Sequence, residues 1–259
     1  MVLDCYSGSK YRPSMNREEQ WLLKDKYGGE KSAAFFTDCQ RLASGEPLGY
    51  LIGSIPFINC QIWLDSHPLI PRPETEYWVE EAIKVIAGVA PKAPHLLDLC
   101  AGSGCIGIAV AKAIPEARVD FVEIDPSHFP TITKNIKTNL PTFTNTQVIE
   151  SDLFTSITNR YDFILSNPPY IDPKLDRTEV SVTDFEPHLA LYGGQGGLEL
   201  ISKIISTAPT HLNPQGQLWL EHEPEQSADI KILAHENSFT CTTKIDQYKI
   251  ERYSILVLQ

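Results

Sequence analysis

From residue 95 onward, short apolar runs alternate with longer segments in which apolar residues recur at helical spacing. Seven runs have the length of buried strands, at 95–100, 118–123, 146–150, 161–166, 216–222, 239–245 and 252–258. Four segments predict helices, at 104–114, 127–139, 197–211 and 225–237. This alternation predicts an α/β fold, with a mostly parallel sheet and helices on both faces. The last two runs follow each other closely, which favours an antiparallel hairpin at the edge of the sheet.

The residues before this alternating region have a different pattern. Asn16 precedes a run of polar and apolar residues that predicts a helix capped by Asn16. The segment from Gly45 to Tyr50, Gly-Glu-Pro-Leu-Gly-Tyr, is then predicted to break the helical pattern. Two short β-type runs, 55–58 and 60–64, predict a hairpin or a bulged ribbon. Prolines at 68, 71 and 73 predict a rigid connector before a helix that ends near Gly88 and Pro91.

These patterns divide the chain into three predicted parts. They are a short helical segment at 1–44, a β-hairpin with a proline-rich connector at 45–73, and the large α/β domain at 74–259. A length of 259 residues is enough for one large domain with such a small addition.

Composition narrows the possible functions. The net charge is −11, from 22 basic and 33 acidic residues, which argues against a broad nucleic-acid-binding surface. The six cysteines show no CxxC pair, and the histidines show no metal spacing, so we expect free thiols and no bound metal. No apolar stretch is long enough to span a membrane, and the first five residues lack the basic start of a signal peptide.

The tetrapeptide Asn167-Pro168-Pro169-Tyr170 directly follows the apolar run 161–166. Neither proline can donate a hydrogen bond to the sheet, and the residue before each proline is kept out of the helical region. The chain must therefore leave the sheet in a stiff turn, where Asn167 and the carbonyl of Pro168 can accept hydrogen bonds and Tyr170 can cover a flat group. The tetrapeptide is suited to hold a planar –NH2 group. A proline-terminated loop whose asparagine caps its own turn explains it equally well.

A glycine-rich turn, Cys100-Ala101-Gly102-Ser103-Gly104, joins the first predicted strand of the sheet to a helix. Glycines allow a tight turn and a close approach of the backbone to a ligand. The turn lacks the Lys-Ser/Thr pair of a phosphate loop, which disfavours a nucleoside triphosphate. It also departs from the GxGxxG pattern, because Cys100 stands where the first glycine is expected. Alone, the turn is a weak signal.

Acidic residues follow the next two predicted strands. Glu123 lies about 20 residues past the glycine turn, where a carboxylate can hold two ribose hydroxyls. Asp125, in the sequence Asp-Pro-Ser, is the better candidate for a helix cap. Asp152 could accept from an adenine amino group while Leu153 packs against the ring, although a solvated loop aspartate is nearly as good an explanation.

All four features follow successive strands of the predicted sheet. The carboxyl ends of parallel strands border the ligand crevice in open sheets of this type. Their convergence on one edge is a much stronger indication of a binding site than any one of them.

Several further motifs carry a family resemblance. They are Gly45-Glu46-Pro47-Leu48-Gly49-Tyr50-Leu51-Ile52-Gly53, Leu69-Ile70-Pro71-Arg72-Pro73-Glu74-Thr75-Glu76, the segments 98–104 and 166–171, and Phe185-Glu186-Pro187 with Gly196-Gly197-Leu198. With these motifs the sequence resembles the class I S-adenosylmethionine-dependent methyltransferases, and most closely the protein-(glutamine-N5) methyltransferases of translation release factors. The resemblance covers about residues 45–258, and the pairing of Pro-Arg-Pro-Glu-Thr-Glu with Asn-Pro-Pro-Tyr is specific to this branch.

The resemblance implies the fold, the cofactor and the partner. It implies a seven-stranded class I methyltransferase sheet over 74–259, S-adenosylmethionine as cofactor, and a release factor with a Gly-Gly-Gln motif as protein substrate, with no membrane or direct nucleic-acid partner. The implied cofactor contacts are Cys100, Ala101, Gly102, Ser103, Gly104, Glu123, Asp152, Leu153 and Asn167. The implied substrate contacts are Asn167, Pro168, Pro169 and Tyr170, and catalysis would fall to Asn167, Pro168 and Tyr170.

Two departures from the family pattern bear on these expectations. Cys100 replaces the commoner glycine, which should change the freedom of the turn but not its backbone donors. The segment before Gly45 is shorter than the helical recognition domain of bacterial members, which puts its share in docking a release factor in doubt. The Cys-Ala-Gly-Ser-Gly-Cys turn is more similar to fungal mitochondrial members, which favours a mitochondrial over a cytoplasmic location.

Two other functions fit parts of the same pattern. An Asn-Pro-Pro-Tyr clamp could equally hold the exocyclic amine of adenine, so an N6-adenine DNA or RNA methyltransferase is the alternative. That function needs attraction for phosphates and usually a target-reading region, and the acidic chain offers neither. A non-catalytic assembly protein that retains the fold is the third possibility, although the intact glycine turn, Glu123 and clamp count against it.

Overall fold

The computed structural model describes residues 15–89, 91–142, 145–175 and 178–259, and the chain divides into two compact units between Ile52 and Gly53. The first five residues, including Cys5, lie outside the described ranges. The absence of a signal peptide at the start of the chain therefore stays a prediction. The other five cysteines are free thiols. In these ranges, no helix combines the length and the apolar character that a membrane crossing requires. The predicted boundaries at residues 44 and 73 stay predictions.

The first unit contains three helices, α1 (Arg17–Asp25), α2 (Ala33–Ala43) and α3 (Leu48–Ile52). Asn16 caps α1 as predicted, because its side chain accepts the N–H of Glu19 at 2.8 Å and Glu19 accepts the N–H of Asn16 in return. Leu22, Phe35 and Leu51 form the small core of this unit.

Helix α3 corrects one expectation, since helicity was predicted to stop over Gly45 to Tyr50. The break is confined to 44–47, and the carbonyl of Pro47 accepts the N–H groups of Tyr50 and Leu51 at 3.0 and 3.2 Å. Proline is well suited to the start of a helix because its fixed φ is already helical, and this explains the renewed turn.

The second unit begins with the predicted ribbon, formed by β1 (Ser54–Phe57) and the antiparallel β2 (Cys60–Trp63). Asparagine side chains of a later helix bind the free edge of β2. Asn135 accepts the N–H of Trp63 at 2.7 Å and donates to its carbonyl at 3.0 Å, and Asn139 makes the same pair of bonds with Gln61. The edge of the ribbon is therefore satisfied without a third strand.

The main sheet has seven strands, as predicted. They are β3 (His95–Leu99), β4 (Arg118–Glu123), β5 (Thr146–Glu150), β6 (Tyr161–Ser166), β7 (Leu212–Glu221), β8 (Phe239–Ile245) and β9 (Glu251–Leu258). Their spatial order is β5-β4-β3-β6-β7-β9-β8, with β9 antiparallel to both neighbours and the other pairs parallel. The predicted edge hairpin is confirmed. Strand β7 begins earlier than predicted, at Leu212, which pairs with Tyr161 of β6. A register shift around Gln215, whose φ is +63°, separates this pair from the pair formed by Phe163 and Gln217.

Seven helices accompany these strands: α4 (Pro73–Val89), α5 (Cys105–Ala113), α6 (Phe129–Asn139), α7 (Val180–Phe185), α8 (His188–Leu191), α9 (Glu199–Thr207) and α10 (Ser227–Glu236). The four predicted after residue 95 are confirmed, several with a 3₁₀ turn at one end. Helices α7 and α8 were not predicted, because six and four residues are too few to display a helical period.

Helices cover both faces of the sheet. Leu97 and Leu99 point to the face covered by α9, where Ile201 and Ile204 are also fully buried. Asp98 and Phe121 point to the opposite face, under α5. A Cβ added to Gly107 of α5 would lie only 2.5 Å from the Phe121 ring, so this contact requires a glycine. The class I methyltransferase architecture predicted for this region is thus present.

A buried carboxyl group joins α5 to the central strand. Asp98 accepts the N–H of Gly107 at 2.8 Å through Oδ2, whereas its buried Oδ1 has no hydrogen-bond partner among the described residues. Burial, reinforced by the charge of Glu123, raises the pKa of Asp98 to about 8. Asp98 is therefore largely protonated in the folded protein at neutral pH.

This shift predicts a specific pH dependence of stability. The unfolded chain releases the Asp98 proton near pH 3.8, whereas the folded chain keeps it until about pH 8. Between these values the unfolded state binds fewer protons, so Asp98 lowers the free energy of unfolding as pH rises, by up to about 1.4 kcal/mol per pH unit. Asp98→Asn removes this term. Urea unfolding at pH 5, 6, 7 and 8 should show the wild type losing stability relative to Asp98→Asn as pH rises, and a constant difference would contradict the assignment.

Candidate active site

Two adjoining cavities lie at the carboxyl ends of the central strands. The first, which we call the glycine-turn cavity, has a volume of about 120 Å³ and is lined by residues that include Cys100, Gly102, Glu123, Asp152 and Leu153. The second, the clamp cavity, has a volume of about 270 Å³ and is lined by residues that include Arg72, Pro168, Tyr170, Ile171 and Gln226. Leu69, Asn167 and Ala190 line both cavities. Asn167 therefore stands between them.

The glycine turn uses the left-handed backbone region three times. Cys100, Gly102 and Gly104 have φ values of +63°, +54° and +78°. Cys100 adopts this conformation although it carries a side chain. A glycine adopts a positive φ without steric cost, which explains why glycine suits this position. At Gly104 an added Cβ would lie 3.2 Å from Ile132 and 3.3 Å from Ile108, so a side chain would disturb the packing of α5 against its neighbours.

The turn residues occupy three kinds of position. Cys100 and Gly102 line the cavity, Ala101 and Ser103 are buried, and Gly104 is the N-cap residue of α5. The N–H of Ala101 donates to the carbonyl of Val122 at 2.9 Å, and the carbonyl of Ser103 accepts from Asn135 at 2.9 Å. These bonds show how Ala101 and Ser103 shape the turn. Their predicted cofactor contacts stay predictions.

Glu123 is fixed by the backbone around it. Its Oε2 accepts the N–H of Gly102 at 2.8 Å, and its Oε1 accepts the N–H groups of Ile124 and Asp125, both at 2.9 Å. Three donors hold the carboxylate rigidly at the wall of the cavity and leave remaining acceptor capacity on Oε2. Asp125 caps the following turn as predicted, since its Oδ1 accepts the N–H of Ser127 at 2.9 Å.

The lining of the glycine-turn cavity fits an adenosyl sulfonium group. Three carboxylates, Glu123, Asp125 and Asp152, stand around it, and its described lining contains no lysine or arginine. Apolar walls come from Val122, Leu153, Leu189 and Leu200. Ribose hydroxyls, a flat ring and a positive charge suit such a lining, whereas a polyphosphate would be repelled. Asp152 is exposed and Leu153 half-buried, and both line this cavity. Their contacts with an adenine stay predictions.

The Asn-Pro-Pro-Tyr segment leaves the end of β6 as a braced turn. Ser166 is buried and donates to the carbonyl of Leu99 at 2.8 Å, which fixes the strand end against β3. The side-chain amide of Asn167 donates to the hydroxyl of Thr75 at 3.2 Å. Its Oδ1 accepts no hydrogen bond from any residue in the described ranges. The structure thus leaves this oxygen available between the two cavities.

The two prolines and the tyrosine are distributed over both cavities. Pro168 and Tyr170 line the clamp cavity, and Pro169 lines the glycine-turn cavity. Gln226 donates to the carbonyls of Tyr170 and Gly196 at 2.8 and 3.0 Å, which holds the segment from behind.

Glycines allow another chain segment to pack directly on this backbone. A Cβ at Gly193 would lie 2.5 Å from the carbonyl oxygen of Pro169, and one at Gly197 would lie 1.8 Å from that of Tyr170. Neither Gly193 nor Gln226 was predicted as part of the site. The glycine cluster at 193–197 was the available signal for the first of these residues, whereas no local pattern marks Gln226.

A buried carboxylate, Glu221, stands at the end of β7 beside the clamp. It accepts from the Thr75 hydroxyl at 2.7 Å, from the Trp78 indole at 2.6 Å and from the Tyr170 hydroxyl at 3.1 Å. Burial raises the pKa of Glu221, and the three donors oppose that rise. Burial and the adjacent Glu221 raise the pKa of Tyr170, so its hydroxyl stays protonated and donates. Thr75, Trp78 and Glu221 were not predicted as site residues, because their contacts join distant parts of the sequence.

A second buried carboxylate, Glu186, fixes the proline-rich connector. It accepts the N–H of Ile70 at 3.0 Å and pairs with the guanidinium of Arg72. The side chain of Glu186 is 1% exposed and that of Arg72 is 32% exposed. This ion pair joins the Pro-Arg-Pro motif to the segment between α7 and α8, and it places Arg72 in the wall of the clamp cavity.

Comparison with known proteins gives a consistent result. A family model described as "Methyltransferase small domain" matches residues 82–185. The release factor glutamine methyltransferase of Geobacter sulfurreducens is 36% identical over an alignment of 265 positions, which covers 95% of this chain and 91% of that protein. The protein of the same name from Rhodopirellula baltica is 35% identical over 227 residues, which is 85% of this chain and 76% of that protein.

A solved structure with a similar fold comes from a more distant protein. The methyltransferase from Pyrococcus furiosus superposes with a TM-score of 0.54 at 16% identity, over 85% of this chain and 97% of that one. At this level of identity the similarity concerns the fold alone, and it agrees with the sheet described above.

The Arg72–Glu186 pair yields a stability prediction. Arg72→Met leaves a buried carboxylate without its cation, and we expect it to lower the free energy of unfolding by about 1–3 kcal/mol. Adding Glu186→Gln removes the unpaired charge, so the double variant should cost less than the sum of the single variants. Urea unfolding of the four proteins measures this coupling. Lys84→Met, in the exposed Lys84–Glu81 pair, is the control and should leave the free energy of unfolding nearly unchanged. Additive effects of the two substitutions would contradict the coupling.

Proposed function

The chain belongs to the release factor glutamine methyltransferase family, and from that premise we propose that it transfers a methyl group from S-adenosylmethionine to the side-chain nitrogen N5 of a glutamine. The target is the Gly-Gly-Gln motif of a peptide chain release factor. One observation carries the proposal: Asn167 stands between the two cavities with its –NH2 group bound to Thr75 and its Oδ1 available. This arrangement matches an acceptor for the –NH2 of a substrate amide.

The cofactor is assigned to the glycine-turn cavity. Glu123 would accept from the ribose, Leu153 would pack against the adenine, and Asp152 would accept from its amino group. Cys100 and Gly102 line the same cavity from the turn. When bound, S-adenosylmethionine supplies a methyl group on a positively charged sulfur, an activated leaving group. The acidic lining described above supports this assignment.

The clamp formed by Asn167 and Pro168 would compensate for the weak nucleophilicity of an amide nitrogen. The lone pair of a carboxamide nitrogen is delocalised into its carbonyl, so the nitrogen attacks poorly. Asn167 Oδ1 and the carbonyl of Pro168 would each accept one N–H of the substrate amide and so fix its orientation. Such orientation can account for about 7–11 kcal/mol of a barrier in favourable cases. The same two oxygens stabilise positive charge as it develops on the nitrogen.

Tyr170 and its partner Glu221 complete the proposed binding site for the substrate amide. The hydroxyl of Tyr170 is bound to Glu221, which holds its ring in the wall of the clamp cavity, where it would cover the amide plane and exclude water. No dedicated base is required in this scheme, because the nitrogen becomes strongly acidic as it gains positive charge. Its proton can leave late to solvent.

Adenine N6-methylation is the second candidate, because the same clamp would accept an exocyclic amine. The lining of the clamp cavity contains the carboxylate of Asp172, and Arg72, the described cation in that lining, is paired with Glu186. A further lining residue, Glu223, is paired with Arg252 at 3.7 Å. This charge pattern disfavours a phosphate backbone beside the clamp. The mitochondrial location stays a prediction, and the relatives named above are bacterial proteins.

Labelled S-adenosylmethionine tests the proposal directly. The protein is incubated in turn with a release factor that contains Gly-Gly-Gln, with its Gln→Ala variant, and with DNA or RNA. We expect label on the Gln form alone. Label on nucleic acid would support the adenine alternative, and cofactor binding without label on any of them would support a non-catalytic role.

Asn167→Ala should separate binding from chemistry. The variant loses one of the two acceptors for the substrate amide, so we expect turnover to fall below detection while most of the affinity for S-adenosylmethionine remains. Transfer of label to the release factor and calorimetric titration of the cofactor measure the two properties. Asn237→Ala, at the far end of α10 and outside both cavities, is the matched control and should keep full activity. Full methylation by Asn167→Ala would refute the clamp.

Glu123→Gln and Asp125→Asn should distinguish the contributions of two acidic residues of the glycine-turn cavity to cofactor affinity. Glu123→Gln replaces one acceptor oxygen by a donor, and we expect cofactor affinity to fall about 10- to 100-fold, as for the loss of a hydrogen bond to a charged group. Asp125→Asn keeps an oxygen that can cap the Ser127 N–H, so its affinity should change less than about threefold. Calorimetric titration measures both. Equal affinities for the two variants would count against a ribose role for Glu123.

A further inference from the structure

The orientation of the Asn167 amide decides whether the clamp can work, and nothing in Asn167 itself fixes it. An asparagine side chain presents an acceptor oxygen on one side and a donor –NH2 on the other. The clamp requires the oxygen to face the substrate. With the amide turned over, its –NH2 would face the –NH2 of the substrate, and two donors would meet.

A chain of hydrogen bonds imposes the required orientation from inside the protein. The chain runs from Glu221 through Thr75 to Asn167, with bonds of 2.7 and 3.2 Å. The chain starts at Oε2 of Glu221, which also accepts the Trp78 indole N–H at 2.6 Å. The three donors that converge on Glu221 favour its ionised form, which has no proton to give, so Oε2 accepts from Thr75 as well.

The direction of each further bond follows from the first. A threonine hydroxyl has one proton, and Thr75 donates it to Glu221. The Thr75 oxygen is then left with lone pairs alone, so it can only accept from Asn167. Asn167 must present its –NH2 group to Thr75, and its Oδ1 points the other way.

Burial makes this direction difficult to reverse. Thr75 and Glu221 are each 1% exposed, so water is not available to replace a lost partner. If Asn167 turned over, its oxygen would face the oxygen of Thr75 with no proton between them. A buried polar group without a partner costs about 1–3 kcal/mol, which is enough to hold one orientation.

We infer that Thr75 and Glu221 are positioning residues for methyl transfer, which set the acceptor oxygen of Asn167 toward the substrate amide. The inference rests on the proposed function, because the orientation matters only if Asn167 binds that amide. Neither residue needs to touch substrate or cofactor. Their effect should therefore fall on kcat and leave cofactor binding unchanged.

Thr75→Val and Thr75→Ser provide the matched pair that tests it. Valine has nearly the shape of threonine but offers no acceptor to Asn167, whereas serine keeps the hydroxyl. We expect Thr75→Val to lower kcat at least about tenfold, the equivalent of a lost buried hydrogen bond. Thr75→Ser should stay within about threefold of the wild type. Kd for S-adenosylmethionine and KM for the release factor should change little in both variants.

Glu221→Leu tests the origin of the chain. Leucine accepts no hydrogen bond, which frees the Thr75 proton to point at Asn167 and makes both amide orientations possible. We expect a fall in kcat with little change in the affinity for S-adenosylmethionine. If Thr75→Val is unfolded at the assay temperature, Thr75→Cys replaces it, because a thiol has the shape of the serine hydroxyl and is only a weak acceptor.

The outcomes separate this inference from the proposed function. The inference is overturned if Thr75→Val, or its Thr75→Cys substitute, keeps kcat within about threefold of the wild type, or if Thr75→Ser is as slow as that variant. Failure of the wild-type protein to label the glutamine of the release factor would instead overturn the proposed function. A rise in KM with unchanged kcat would assign Thr75 to substrate docking and would also overturn the inference.

Discussion

Parallel strands that lie side by side deliver their carboxyl ends to one edge of the sheet, and the site depends on this constraint. Leu99 of β3 is paired with Val122 of β4 on one side and with Ser166 of β6 on the other. The next residues, Cys100, Glu123 and Asn167, must therefore emerge next to each other, although 67 residues separate Ser166 from Leu99 along the chain. The glycine turn, the ribose candidate and the clamp meet because the register of three strands allows no other arrangement.

Buried carboxylates then fix the parts that the sheet does not reach. Glu123 binds the glycine turn, Glu186 binds the proline-rich connector, and Glu221 binds α4 and the clamp. A buried charge is costly unless several donors converge on it, so each of these groups holds its partners in one geometry. Loops otherwise bring mobility to an active site. Here three carboxylates at the ends of structural elements restrict that mobility where the clamp requires it.

The hydrophobic pattern was sufficient to predict the strands of the sheet, because each strand displays its own period or apolar run in consecutive residues. The same is true of Asn16, Asp125 and the edge hairpin, which are local features. The Thr75–Glu221 bond is different, since it joins residues 146 positions apart and only the folded topology brings them together. No local sequence pattern links a polar residue in one helix to another polar residue at the end of a distant strand. The left-handed backbone of Cys100 is likewise hidden, because the sequence shows a cysteine where the conformation favours glycine.

Selection between a protein amide and a nucleobase cannot come from the clamp itself. Both groups offer a planar –NH2, and two acceptor oxygens bind either one. The difference lies in what accompanies the amine: a nucleobase brings phosphates, whereas a glutamine brings a neutral peptide backbone. The carboxylate of Asp172 lines the clamp cavity, and a negative charge at this position disfavours a phosphate group bound beside the clamp. The guanidinium of Arg72 is engaged by Glu186 and is not available as a phosphate partner. The proposed transfer chemistry and the proposed choice of substrate thus depend on different residues of the clamp cavity.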